Sequence, residues 1–268
     1  MVSSEPNVLQ PLLTEYVQLL EQELAGCIEA VYLVGSIALG AFDVRFSDID
    51  FIAVMSRPAR QDEIRRLRSV HQTIRTKYPR WGMEGSYFQW ADLGRPKDQV
   101  APYPCYHDNR FHPHAYHDLN LVAWWMLKNR GIAVKGPATE TLAFTVDWDQ
   151  LIAEMRVNLN TYWRSWTRRP VRLALLLSDW GIQWTVLGVL RQFYTFRENA
   201  IISKVEAGQY ALSCLPERWH PLVREAINIR EAKADSYRRS RTARAMVAVR
   251  FLRYIIATCG EYASLKEC

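Results

Sequence analysis

The sequence predicts an α+β chain in two parts: a small mixed sheet flanked by helices over residues 1–145, and an α-helical bundle over residues 146–268. Three observations carry this. In the first part, short apolar runs at 30–34, 49–54 and 82–88 alternate with stretches of helical periodicity. After Asp149 the helical spacing continues almost without interruption. The net charge of +6 also divides unevenly, with 15 Lys/Arg against 16 Asp/Glu in residues 1–145 and 19 against 12 in residues 146–268.

Taken in order, residues 7–26 set Val8, Leu9, Leu12, Leu13, Val17, Leu20 and Leu24 at helical spacing, with Gly26 as the stop. A strand at 30–34, a short helix from Ser36 and a strand at 49–54 follow. Residues 60–78 form an arginine-studded amphipathic helix closed by Pro79, and 82–88 a third strand. The segment 92–118, rich in Pro, His, Asp and Tyr, reads as a long loop of the kind that carries function. A helix near 119–130 and an extended piece ending at Gly136-Pro137 complete the first part. Helices then fall at about 149–167, 172–196, 203–213, 217–235 and 237–260, with breakers at Pro170, Asn199, Pro216 and Pro221. Arg238, Arg241 and Arg244 on the last of them read as a solvated face.

With 49% hydrophobic and 23% charged residues, the composition is that of a soluble globular protein. The opening Met-Val-Ser-Ser-Glu-Pro-Asn lacks a basic region followed by an apolar one, so no signal peptide is expected. No stretch approaches the roughly 20 apolar residues that cross a bilayer, so no membrane partner is expected. Cys27, Cys105, Cys214, Cys259 and Cys268 are scattered and contain no Cys-x-x-Cys pair, which points to free thiols in a reducing cytoplasm. The chain is expected to act as a monomer.

The chemistry concentrates in residues 31–54. An apolar run ends in Gly35-Ser36, and Ser47-Asp48-Ile49-Asp50 opens the next. Alternate residues of a strand share a face, so Asp48 and Asp50 project together while Ile49 turns inward. Two carboxylates so placed suit a hard divalent cation such as Mg2+. Gly35 and Ser36, at a strand-to-helix junction, offer backbone N–H groups and a hydroxyl to a phosphate. A phosphate cradle beside a metal-binding pair is the apparatus of nucleotidyl transfer, and the basic second half suits a nucleoside triphosphate. Nucleic acid is the competing polyanion.

These motifs resemble the nucleotidyltransferase superfamily typified by DNA polymerase beta, in which Gly-Ser is followed by Asp-x-Asp on a strand and by a third carboxylate on a later strand. The resemblance implies that Glu84 is the third carboxylate, joining Asp48 and Asp50 as catalytic and metal-binding residues. It also implies that Gly35, Ser36 and Ser47 hold the nucleotide. Asp118, at the start of the next helix, either reaches the nucleotide or caps that helix. The second half narrows the resemblance. Val189-Leu190-Arg191, Tyr194-Thr195, Ser203-Lys204 with Ala207 and Ala211, and Leu215-Pro216 are similar to the C-terminal domain of bacterial aminoglycoside adenylyltransferases acting on streptomycin and spectinomycin. That family implies ATP as co-substrate, Arg191 and Lys204 on its phosphates across a cleft between the two domains, and a small hydroxylated acceptor.

The chain departs from the family in two places. Where the family commonly carries a Gly-Glu-Trp-like stretch, residues 106–117 here contain His107, His112, His114 and His117, whose spacing matches no helical zinc site. They read as the lining of a substrate mouth or as partners for loop carbonyls. Asp179 is also the only carboxylate between Arg172 and Glu198, so the particular antibiotic stays open. Trp180 and Trp184, one helical turn apart, read as core or as a stacking surface. Two other functions remain: nucleotidyl transfer to an RNA or protein hydroxyl, and a non-catalytic nucleotide-sensing or antitoxin-like module.

Overall fold

The computed structural model describes residues 6–117, 119–233 and 240–265; Asp118 and Arg238 lie outside them. Two compact units are present, Met1–Gln150 and Leu151–Cys268. Among the described residues no helix is long and apolar enough to cross a membrane.

The first unit holds α1 (Pro6–Glu23), β1 (Ile28–Leu33), α2 (Gly35–Ala38), β2 (Ile49–Met55), α3 (Gln61–Lys77), β3 (Met83–Gln89), β4 (Tyr103–His107), β5 (Arg110–Ala115), α4 (Leu121–Arg130) and β6 (Ile132–Lys135). Its six-stranded sheet has the order β5-β4-β3-β2-β1-β6. Only β2 and β3 run parallel, joined by α3; every other neighbouring pair is antiparallel. One sheet face is apolar: Val31, Leu33, Phe51, Ala53, Met55, Tyr87 and Tyr106 pack with Leu12, Tyr16 and Leu20 of α1 and Leu67, Val70 and Ile74 of α3. Burying these side chains is the main stabilising term, at about 1.5–3 kcal/mol each.

One polar network lies inside that core. His71 of α3 hydrogen-bonds Tyr87 Oη through Nε2 at 2.7 Å, and Tyr87 Oη lies 2.7 Å from Tyr16 Oη. His71 also stacks on Tyr106 with ring centroids 4.1 Å apart. Burial drives its imidazole down to about 3 from the ordinary 6.5. Between those two values the unfolded chain binds a proton that the folded one does not, so stability is fully present above pH 6.5 and falls as the pH drops. For this one group the loss is about 2 kcal/mol at pH 5. Urea unfolding at pH 7 and pH 5 should show that decrement in the wild type and a smaller one in His71→Gln; equal decrements would remove His71 as the cause.

The expected loop over 92–118 is instead largely a β-hairpin, β4–β5, preceded by 3-10 turns at Trp90–Asp92 and Lys97–Gln99. Asp108 and Asn109 have positive φ, 49° and 57°, as a two-residue turn of type I′ requires. Pro113 is tolerated because β5 is the sheet edge.

The second unit comprises most of α5 (Trp148–Asn158), which runs into a π-helical turn over Leu159–Trp163, then α6 (Pro170–Leu175), α7 (Asp179–Glu198), α8 (Lys204–Cys214), α9 (His220–Arg230) and α10 (Arg241–Leu265). α7 is central, packing against α8, α9 and α10. Its Ile182, Val186, Leu187, Val189, Leu190 and Phe193 are fully buried. The single helix expected over 172–196 is broken. Ser178 caps α7 by accepting the Gly181 N–H at 3.0 Å, and a Cβ at position 181 would sit 2.0 Å from the Leu175 carbonyl oxygen.

The arginine ladder on the last helix is not a uniformly solvated face. Arg241 is exposed, but Arg244 is buried, with Nη1 2.7 Å from Asp179 Oδ1 and 2.8 Å from Glu225 Oε1. A guanidinium at that depth requires carboxylate partners, which α7 and α9 supply.

Candidate active site

The site is built on the other face of the first unit's sheet. Asp50 on β2 stands directly opposite Glu84 on β3 in the parallel register, so both side chains leave the sheet on the same side about 4.8 Å apart. Asp48 lies one residue before β2 and shares that side. Glu84 sits on an interior strand, between β2 and β4, rather than at an edge. Its neighbour Gly85 faces the core, where a Cβ would lie 2.2 Å from the Phe51 carbonyl oxygen.

Two glycines give the aspartates their room. Gly35 has φ +62°, and a Cβ there would lie 1.9 Å from Asp50 Oδ2; a Cβ on Gly82 would lie 2.2 Å from Asp48 Oδ1. Gly35 thus both makes the sharp turn out of β1 and lets the Asp50 carboxylate rest against the backbone. It begins α2, whose N-cap Val34 makes no side-chain cap. Beside it, Ser36 Oγ is buried without a hydrogen-bond partner, the condition of a hydroxyl shaped to meet a ligand. Ser47 closes the preceding turn, where its Oγ accepts the Asp43 N–H at 3.1 Å.

Glu84 is held from the hairpin side. The Asp108 N–H donates to Glu84 Oε1 at 3.4 Å, and His117 Nε2 lies 3.9 Å from Glu84 Oε2. Burial pushes the Cys105 thiol, on the same sheet face, up to about 11, so it stays protonated and inert at neutral pH.

The donor set fits magnesium. Asp48, Asp50 and Glu84 are hard oxygen ligands, and the glycines beside the two aspartates leave no side chain in the way. Among the described residues no three His, Cys, Asp or Glu side chains close into a metal cage. Magnesium bound by one or two carboxylates plus substrate phosphates does not need one.

In the second unit, Lys204 is the first residue of α8, after a capping box formed by Ser203 and Glu206. Its Nζ lies over the Trp184 ring, 4.4 Å from the centroid. Trp184 precedes Arg191 by seven residues on α7, two turns along one face, so both half-buried cations belong to one side of the bundle. Trp180, half exposed, stacks on Trp184 at 5.4 Å. The acidic Asp179 is engaged by Arg244.

The structure therefore sets Asp48, Asp50 and Glu84 on one side of the sheet, with Gly35 against Asp50 and Ser36 next to it in the chain, and sets Arg191 and Lys204 on one side of the bundle. Sequence reasoning missed how close the hairpin comes: Asp108 and His117 meet Glu84 directly. The signal was slight: Asp and Asn tolerate positive φ and so can form such a turn, but the flanking His107, Arg110 and His112 are all polar.

Comparison with known proteins bears on both units. A family model described as nucleotidyltransferase domain matches residues 13–81, and one described as aminoglycoside adenylyltransferase, C-terminal domain, matches residues 155–256. No curated protein matches. Among solved structures, the fold resembles that of spectinomycin adenyltransferase AAD(9) from Enterococcus faecialis, determined with ATP and spectinomycin. The TM-score is 0.67 at 13% identity, over 91% of this chain and 99% of that one. The two matches, in that order, support an enzyme that pairs a nucleotidyltransferase domain with an aminoglycoside adenylyltransferase C-terminal domain.

Proposed function

We propose that the enzyme transfers AMP from ATP to a hydroxyl of a small-molecule acceptor, an aminoglycoside or aminocyclitol antibiotic of the streptomycin and spectinomycin kind, and releases pyrophosphate. The observation that carries this is the parallel register placing Glu84 opposite Asp50, with Asp48 on the same side. That register supports a proton acceptor at Glu84 beside a cation-binding pair.

In this mechanism Ser36 Oγ and the N–H groups at the start of α2 receive phosphate oxygens of ATP. Asp48 and Asp50, with Glu84 beside them, would hold magnesium, which supplies charge neutralisation at the triphosphate. Glu84 accepts the proton from the acceptor hydroxyl as its oxygen attacks the α-phosphorus. The bond from the α-phosphorus to the bridging oxygen breaks, and pyrophosphate departs with that oxygen. Arg191 and Lys204 stabilise the charge that accumulates on it. Lys204 is half-buried and seated over Trp184, where attraction to a phosphate is stronger than in open water.

Pyrophosphate release from ATP, followed over a panel of streptomycin, spectinomycin and related hydroxylated compounds, tests the reading. Acceptor-dependent release is the expected result, and its absence with every compound of the panel would overturn it. The metal pair has its own test. Asp48→Asn and Asp50→Asn should each abolish the magnesium-dependent part of ATP affinity measured by calorimetry. A binding isotherm with the wild-type magnesium dependence would rule the pair out as ligands.

A further inference from the structure

Adjacent residues of a regular α-helix point about 100° apart, so two neighbours seldom address the same stripe of a partner helix. Tyr162 and Trp163 do. They close the π-helical turn Leu159–Trp163, where bonding from each N–H to the carbonyl five residues back widens the coil and narrows that angle. Trp163 fills a notch on α7, since a Cβ on Gly188 would lie 2.2 Å from its ring. Tyr162 reaches Trp184, one turn earlier on the same stripe, and its Oη accepts the indole N–H at 2.9 Å.

Tyr162 is itself held at both its ring and its backbone. Arg172 of α6 lays its guanidinium over the phenol ring, 4.4 Å from the centroid, and donates from Nη1 to the Tyr162 carbonyl at 2.9 Å. Ser165 Oγ donates to the same carbonyl at 2.5 Å and accepts from Arg172. The Tyr162 and Trp163 rings meet edge to face, with centroids 5.0 Å apart.

The group fixed by this support is the Trp184 ring, and that ring carries Lys204, whose Nζ lies 4.4 Å from its centroid. Lysine has a flexible four-carbon stem, so its ammonium needs something to hold it in one place. An aromatic face steadies an ammonium through its quadrupole without cancelling the charge, as a carboxylate would. Such a contact suits a lysine whose task is to meet phosphate.

We propose that Tyr162 is a positioning residue for ATP: its hydroxyl holds the Trp184 indole in the plane that seats Lys204, and so fixes where the ammonium meets the triphosphate. This rests on the nucleotidyl-transfer reading, in which Lys204 is a phosphate ligand. Without that hydroxyl the half-buried indole N–H loses its acceptor, and the ring turns toward another, taking the seat of Lys204 with it. The nucleotide feels the loss only through Lys204.

Calorimetry of ATP binding in magnesium buffer tests this on the full chain as wild type, Tyr162→Phe, Lys204→Ala and the double variant. Phenylalanine keeps the ring beneath Arg172 and against Trp163, and removes only the hydroxyl. Lys204→Ala should weaken ATP binding about tenfold or more. Tyr162→Phe should weaken it about three- to tenfold when Lys204 is present, and by less than about twofold when it is not. A merely structural part for Tyr162 would weaken ATP alike in both backgrounds, and that result would overturn the proposal. So would wild-type affinity in Tyr162→Phe beside a weakened Lys204→Ala, with Lys204 and adenylyl transfer left standing. Wild-type affinity in Lys204→Ala would remove the lysine as a phosphate ligand and Tyr162 with it. No ATP binding by the wild type would overturn nucleotidyl transfer as well.

Discussion

Glu84→Gln is expected to lower kcat by about 10²–10⁴-fold while ATP affinity stays within a few-fold of the wild type. The amide is nearly isosteric with the carboxylate and can still accept the Asp108 N–H, so the β4–β5 hairpin should keep its place. What it cannot do is take a proton from the attacking hydroxyl. Because β3 is an interior strand paired on both sides, the substitution leaves the sheet and the cradle at Gly35 and Ser36 untouched. Single-turnover measurement of pyrophosphate release, with calorimetry for ATP, separates the outcomes. Normal turnover with weakened ATP binding would move Glu84 from base to nucleotide ligand. A loss of both, matched by Asp50→Asn, would make it chiefly a metal ligand.

The largest stability effect is expected at Arg244. Removing its side chain takes the 2.8 Å guanidinium partner from the Glu225 carboxylate, only 1% exposed, at a cost of about 3–5 kcal/mol. The pair is not symmetrical about the arginine. Asp179 is 68% exposed and returns to water when released, so Asp179→Asn should cost no more than about 1 kcal/mol. Arg244→Met combined with Glu225→Leu removes both buried charges and should recover most of what Arg244→Met alone loses. Chemical denaturation of the four proteins checks this, and equal effects of the Asp179 and Arg244 substitutions would refute it.

Much of the first unit was legible because its requirements are local. Asp48-Ile-Asp50 at the head of an apolar run fixes which side each residue takes, and Gly35 marks the turn into the cradle. The assignment of Glu84 came from the family resemblance, which implies a carboxylate on a later strand, together with the reading of 82–88 as that strand. That it stands opposite Asp50 was not legible, since this depends on how far α3 and its flanking turns carry the chain before β3 begins. The hairpin escaped for a different reason. Its inward positions, His107 and His112, are polar because they face the site, so the hydrophobic alternation that reveals a strand is missing there. Arg244 escaped because its partners lie 65 and 19 residues away in sequence, and no periodicity reports an ion pair between helices. The break between α6 and α7 falls in Leu175-Leu-Leu-Ser178, where three leucines favour continuing a helix and only the capping serine argues otherwise.

The alignment of Asp50 with Glu84 restricts where this chain can change length. Deleting one residue inside β3 would bring Met83 or Gly85 opposite Asp50 and turn the Glu84 carboxylate toward Phe51 and Tyr87, destroying chemistry and core in a single event. The turn between β2 and α3, and the stretch between β3 and β4, can take up a change of length by rearranging while the register of β3 on β2 is kept. Divergence by insertion should therefore collect in those segments, while the span of β3 stays constant in length even where its residues vary.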